Sequence, residues 1–278
     1  MNPLIRQQID LNQSTRSHWE SFAFQRQRVT ELLVKPDQGA GRLCILGAGN
    51  CNDLDLPTLI AEFDQVVLVD LDREALMRGT AALSIKTGDR LCCLADTDVT
   101  GALPRIATWS PATRLEAEDL EALAAGARVS DWPPRPQFDV VASTCLLSQL
   151  VGSLVHSLTD RHPQFLDAVR AIRTGHFRTL ASLLRPGGRA VFISDVVSSD
   201  TLPELRSQVA QDSHRLVAAA ISVGNFFTGL NPRVVHALLN SDPVVAPLFK
   251  DATFVPPWVW HCGPRSYAVY AIEAIRAH

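Results

Sequence analysis

The sequence predicts an α/β fold: a mostly parallel sheet with helices on both faces and an antiparallel hairpin at its C-terminal end. Three observations carry this. Short, continuously apolar runs occur at 42–46, 65–69, 91–95, 138–142 and 190–193, and the first four are each separated from the next by material able to form a helix. Continuous rather than alternating apolarity fits strands buried on both faces. A glycine loop, Gly47-Ala48-Gly49, follows the first run, and Asp70 ends the second. Two last β-like runs, 253–261 and 266–272, flank Cys262-Gly263-Pro264-Arg265. Neighbouring runs across a tight turn read as a hairpin.

The elements follow in order. Trp19, Phe22, Val29 and Leu33 recur at helical spacing, which predicts a helix over 16–35 that Pro36 ends. Residues 36–41 are a turn-rich linker to the first strand. Helices are expected over 54–62, 73–83 and 115–125, the last stopped by Gly126. A long helix starts near Pro163 and stops at Arg185-Pro186-Gly187-Gly188 before the fifth strand. Helices over 203–223 and 232–239 precede the hairpin. Residues 101–114 and 128–137 read as loops.

A length of 278 residues allows one large domain or two small ones. The element order favours one unit: a helical lid (1–38), a ligand-binding core (42–194), a helical insertion (195–250) and the hairpin (251–278). With 26 basic against 29 acidic residues there is no electrostatic footprint for nucleic acid. No apolar run reaches the roughly 20 residues of a membrane span, and the N-terminus lacks the apolar stretch of a secretory leader. The six cysteines have no metal-ligand spacing and several sit in apolar runs. They read as reduced thiols of a cytoplasmic protein without bound metal.

In open α/β sheets, ligands bind outside the carboxyl ends of the central strands. Gly47 and Gly49 let the backbone approach a ligand closely, and Asp70 lies at the spacing from them at which an acid meets ribose hydroxyls. This predicts a nucleoside-type cofactor.

Five motifs in order, Ile45-Leu46-Gly47-Ala48-Gly49-Asn50, Val67-Leu68-Val69-Asp70, Asp96-Thr97-Asp98-Val99-Thr100, Phe138-Asp139-Val140-Val141-Ala142 and Leu184-Arg185-Pro186-Gly187-Gly188, resemble those of class I S-adenosylmethionine-dependent methyltransferases. The resemblance covers 42–194 and implies a Rossmann-like, seven-stranded sheet whose last strand is antiparallel. It implies S-adenosyl-L-methionine as cofactor. Gly47, Ala48, Gly49 and Asn50 would lie beside its methionine part, Asp70 would hold the ribose and Leu71 would pack on the adenine. Asp96 or Asp98, with Val99, would face the adenine amino group, and Ser143, Thr144 and Cys145 would border the methyl group. Two positions depart from the pattern. Ile45 stands where many members carry an acid, and Cys51 where a third glycine is usual; Asn50, Asn52 and Asp53 are candidates for the missing polar contacts.

Other residues stand out by position. Arg26 interrupts the apolar stripe of the first helix, and an inward arginine needs a partner; the cofactor carboxylate is one candidate and a structural ion pair the other. His176 lies on an apolar helix face and reads as a core histidine. Asp212 lies in the insertion, where an acceptor pocket is expected, as does Asn225-Phe226-Phe227-Thr228-Gly229. Trp258 and Trp260 share one strand face and either wall a pocket or pack on a helix. His261, followed by Tyr267, is a candidate general base.

Residues 143–146 lack the [DN]PP[YF] pattern of base-methylating enzymes. With the charge balance, this favours a small-molecule acceptor over nucleic acid or membrane, for a monomer or homodimer. Two alternatives keep the fold: aminopropyl transfer, disfavoured because 143–149 contain no acid, and a cofactor-binding protein without turnover.

Overall fold

A computed structural model describes residues 2–35, 41–81, 90–127, 137–207 and 213–278. The parallel core runs through β1 (Arg42–Leu46), β2 (Gln65–Val69), β3 (Leu91–Leu94), β4 (Phe138–Thr144) and β5 (Leu184–Ser198), followed by the hairpin β6 (Phe249–Cys262) and β7 (Arg265–Arg276). The seven strands form one sheet in the order β3-β2-β1-β4-β5-β7-β6. The pairs β1–β2, β2–β3, β1–β4 and β4–β5 are parallel, and β7 runs antiparallel to both β5 and β6. The chain thus winds one way from β1 to β3 and the other way through β4 and β5. The crevice between β1 and β4 is the switch point where such sheets take ligands.

Both faces are buried, as the continuous apolar runs require. On β1, Cys44 and Leu46 enter one core cluster and Leu43 and Ile45 the other. The first cluster packs under α7 (Leu146–Leu158) and α8 (Phe165–Leu183), and the second under α2 (Ala23–Leu33) and α3 (Leu56–Glu62). Phe138 pairs with Leu184 and Val140 with Arg189, so Arg185–Gly188 bulges out at the start of β5 instead of preceding it.

Several helices differ from expectation. The 16–35 helix is a 3-10 turn, Glu20–Phe22, leading into α2. Ahead of it stands α1 (Pro3–Thr15), which the apolar spacing does not announce because it buries only Leu4 and Gln8. Residues 101–114 contain the short α5 (Leu103–Ile106). The Asp98 carboxylate starts it, accepting from the Leu103 N–H at 3.0 Å and the Thr100 N–H at 2.9 Å. α4 (Arg73–Ala81), α6 (Ala117–Ala125) and α10 (Pro232–Ser241) fall close to their predicted places. The 203–223 helix is a 3-10 turn, Pro203–Arg206, and α9 (Ser213–Ser222). Asp212, and most of the 128–137 loop, lie outside the described residues.

All six cysteines are free thiols. Among the described residues no helix is long and apolar enough to cross a membrane, and no group of three or more His, Cys, Asp or Glu is placed to hold a metal ion.

Candidate functional site

A cavity of about 880 Å³ opens at the carboxyl ends of β1, β4 and β5. Its floor is the loop Gly47–Asn50 with Thr144 and Cys145; α1 and α7 form its sides, and Phe226–Thr228, Trp260 and Tyr267 its far wall. A narrow cleft of about 30 Å³ continues beneath α1 along Asp70, Leu71, Asp98 and Val99. Gln8, Asn12, Gly47 and Gln149 line both spaces.

The loop after β1 needs its glycines. Gly47 and Gly49 have positive φ, and a Cβ at Gly49 would stand 2.8 Å from Asn12 Oδ1. The loop is held by the Asp70 carboxylate, which accepts from the Gly49 N–H at 2.7 Å and the Asp72 N–H at 2.8 Å. Burial pushes the Asp70 carboxyl up, opposed by these two backbone donors. Asn50 and Asn52 tie the loop to α1: Asn50 Nδ2 donates to the Asn12 carbonyl at 2.6 Å, and Asn52 Nδ2 to the Thr15 carbonyl at 2.8 Å.

The predicted site residues divide. Gly47, Ala48, Gly49, Asn50, Thr144, Cys145 and Tyr267 line the cavity, and Asp70, Leu71, Asp98 and Val99 line the cleft. Four others are directed elsewhere. Asp96 forms an exposed ion pair with Arg73. Ser143, one pleat from Thr144, points to the opposite core and bonds His176 Nε2 at 2.9 Å. That histidine is a core residue, held down to about 4 by burial. Arg26 lies off the lining, stacks on Trp19 with its guanidinium 3.6 Å from the ring centre, and donates to the Asn52 carbonyl at 2.7 Å. It braces the loop from behind. His261 is exposed and bonds Ser266 Oγ at 2.8 Å, while its neighbours Trp260 and Cys262 face the cavity. The two tryptophans also separate: Trp258 is buried against Gln25, whose Oε1 accepts its indole N–H at 2.7 Å, and Trp260 stacks at 5.3 Å on Tyr267.

Two acids of the cavity carry raised pKa values. Asp53, half-buried, is pushed up to about 7 by desolvation, against the favourable charge of Arg26. Asp195, near the end of β5, is 8% exposed and pushed up to about 6 by desolvation, against a hydrogen bond from Ser148. Asp195 has no counterpart in the sequence reading; the signal was an acid closing the run Ala190–Ser194. Cys145, with left-handed backbone, has its thiol pushed far up by burial and is an inert wall.

Five residues lining this cavity each carry a buried polar atom without a partner among the described residues: Gln7 Oε1, Gln8 Oε1, His18 Nδ1, Asp195 Oδ1 and Trp260 Nε1. Buried polar groups are nearly always hydrogen-bonded, so their concentration around one cavity is unusual.

No family model matches the chain, and no curated protein does. Solved structures do. N-methyltransferase NodS from Bradyrhizobium japonicum is 12% identical over 92% of this chain and 97% of its own, with a TM-score of 0.42. Magnesium protoporphyrin IX methyltransferase from Synechocystis, with bound S-adenosylhomocysteine, is 14% identical over 94% and 83%, with a TM-score of 0.44. An S-adenosylmethionine-dependent methyltransferase from Mesorhizobium loti is 18% identical over 60% and 52%, with a TM-score of 0.32. On its own strand order, with β7 alone antiparallel to its neighbours, the chain has the Rossmann-like fold that its resemblance to class I S-adenosylmethionine-dependent methyltransferases implies.

Proposed function

We propose that the chain binds S-adenosyl-L-methionine at the β1–β4 crevice and transfers its methyl group to a small molecule held in the 880 Å³ cavity. The observation that carries this is the glycine loop of β1 bonded to the acid of β2 beside a cavity lined by unsatisfied polar atoms. The residues fit the cofactor. Asp70 Oδ1 accepts from the Asp72 N–H and, at 3.5 Å, from Asn12 Nδ2, while Oδ2 accepts only from the Gly49 N–H and keeps a lone pair for a ribose hydroxyl. Leu71 and Val99 supply apolar contact for an adenine, and Asp98, occupied with starting α5, forms the edge of the cleft. Asp53, which lines the cavity, would take the amino group in place of the acid missing at position 45. When bound, the cofactor supplies an electrophilic methyl on a sulfonium. Thr144 and Cys145 border the space where an acceptor would meet it.

The whole chain is read as one unit, with α1 over the cofactor and residues 195–250 contributing the acceptor wall. Calorimetry with S-adenosylmethionine and S-adenosylhomocysteine tests the reading; absence of binding to either at millimolar concentration ends it. Labelled methyl transfer into a metabolite extract then separates turnover from binding alone.

One observation favours a second reading. Acids line the cavity at Asp53, Asp160 and Asp195, while Arg265 is its one lysine or arginine among the described residues. That balance also suits aminopropyl transfer from the decarboxylated cofactor to an amine. Tighter binding of the decarboxylated form than of S-adenosylmethionine would select it.

A further inference from the structure

We infer that Asp195 is the anchor for the acceptor and that the acceptor is an amine, bound as its ammonium ion against aromatic walls. This rests on the cavity being the transfer site proposed above. The Asp195 carboxylate is more than nine-tenths buried, lines the cavity and leaves Oδ1 without a partner. A buried carboxylate is costly unless a cation and hydrogen bonds compensate it. Among the described residues Asp195 forms no ion pair, and the basic side chains lining its cavity are His18 and Arg265. Arg265 at the mouth is committed to Asp200 at 3.0 Å and to the Tyr267 hydroxyl. Ser148 gives Asp195 one hydrogen bond, Asp53 and Asp160 add two further acids to the cavity, and burial raises the pKa of Cys145 and Tyr267 and keeps both neutral. The counter-ion must therefore arrive with the ligand.

The surroundings fit an ammonium rather than a hydroxyl. Phe226, Phe227 and Trp260 line the same cavity, and aromatic faces attract cations. The wall is rigid where it meets the acid: the Phe227 N–H donates to the carbonyl of Val196, the residue after Asp195, at 2.7 Å. A Cβ at Gly229 would come 2.4 Å from Val169 Cγ1, so that loop packs tightly behind the ring. A neutral alcohol would offer one hydrogen bond and leave the charge uncompensated. Asp195 also stands on β5, beyond β4 from the glycine loop and Asp70, which places it on the acceptor side of the crevice. In the transfer, the ammonium gives a proton to a carboxylate oxygen of Asp195. The freed nitrogen lone pair forms the N–C bond to the methyl, the C–S bond breaks with its electron pair left on sulfur, and Asp195 returns the proton to solvent.

The test is equilibrium binding of 2-phenylethylamine and tryptamine against their alcohols, 2-phenylethanol and tryptophol, and against 3-phenylpropanoate, with and without saturating S-adenosylhomocysteine. At least one amine is expected to bind tenfold or more tightly than its alcohol and than the acid. Asp195→Asn should abolish that preference, Asp195→Glu should retain part of it, and both should bind S-adenosylhomocysteine within twofold of the parent. No amine preference up to 10 mM overturns the inference. So does an Asp195→Asn variant that loses affinity for S-adenosylmethionine but not S-adenosylhomocysteine without changing the amine arm, since Asp195 would then be the counter-ion of the sulfonium. Amine preference in a chain that binds no sulfur nucleoside would sustain the anchor and refute the methyl-transfer reading.

Discussion

The carboxylate of Asp70 accepts the amide hydrogen of Gly49 at 2.7 Å, so the acid closing β2 holds the turn that follows β1. Its other oxygen accepts from the Asp72 N–H. Both oxygens thus face backbone donors, and an asparagine there could satisfy only one of them. Asp70→Asn leaves a buried N–H facing an amide N–H, a loss of about 1–3 kcal/mol. Lowered stability is expected together with at least a tenfold loss of S-adenosylhomocysteine affinity in calorimetry. Unchanged affinity would remove Asp70 from the cofactor site.

The hairpin separates two residues that the sequence places side by side. Trp260 and Cys262 turn into the cavity, so His261 between them turns out, where Ser266 holds it. His261→Ala is therefore expected to leave labelled methyl transfer within about twofold of the parent. Trp260→Ala, which removes the ring that meets Phe22 edge-on and lies tilted against Tyr267, should lower it at least tenfold. The reverse ranking would restore the histidine as the base.

These outcomes show where the sequence was legible. β1 and β2 begin and end at the predicted residues because a strand buried on both faces is apolar throughout and stops at glycine or acid. The glycine loop and Asp70 carry their own geometry and were equally readable. Strand alternation puts Ser143 and Thr144 on opposite faces, but only tertiary packing decides which face meets the cavity, and it turns Ser143 to His176. Asp96 and Asp98 were indistinguishable until the chain's turn sent one to Arg73 and the other to α5. Asp195 closes an apolar run, and only its tertiary neighbours reveal that it is buried with Oδ1 unpartnered among the described residues.

Asp195 also predicts a stability signature independent of any acceptor. Its native carboxyl titrates at about 6, above the ordinary 3.8, because burial disfavours the charge. Between these values the native state holds a proton that the unfolded chain has released. The group's contribution to stability therefore falls as pH rises through that window, and the full cost persists above it. About two pKa units correspond to roughly 3 kcal/mol as an upper bound. Asp195→Asn should raise the Tm at pH 8 by several degrees, with the gain fading towards pH 4. A variant less stable than the parent at pH 8 would mean that the charge is already compensated within the protein.

Helix α1 covers the cleft beside Asp70. The cleft holds about 30 Å³, room for about two waters and not for a nucleoside. The helix is seated mainly by amides: Gln8 Nε2 on Ser153 Oγ at 3.2 Å, Asn50 on the Asn12 carbonyl and Asn52 on the Thr15 carbonyl, with Leu4 and Gln8 its buried residues. Few buried apolar contacts mean a low free energy of local opening, so α1 is the element expected to yield if a nucleoside enters the cleft. Hydrogen exchange should find α1 amides the least protected among the helices of the free protein and markedly slower to exchange with S-adenosylhomocysteine bound. The double variant Asn50→Ala with Asn52→Ala should speed their exchange in the free protein at least tenfold while leaving α8 unaffected. If α1 instead exchanges only with global unfolding, and bound nucleoside does not change it, the helix is a fixed wall and the cleft beneath it is closed to the cofactor.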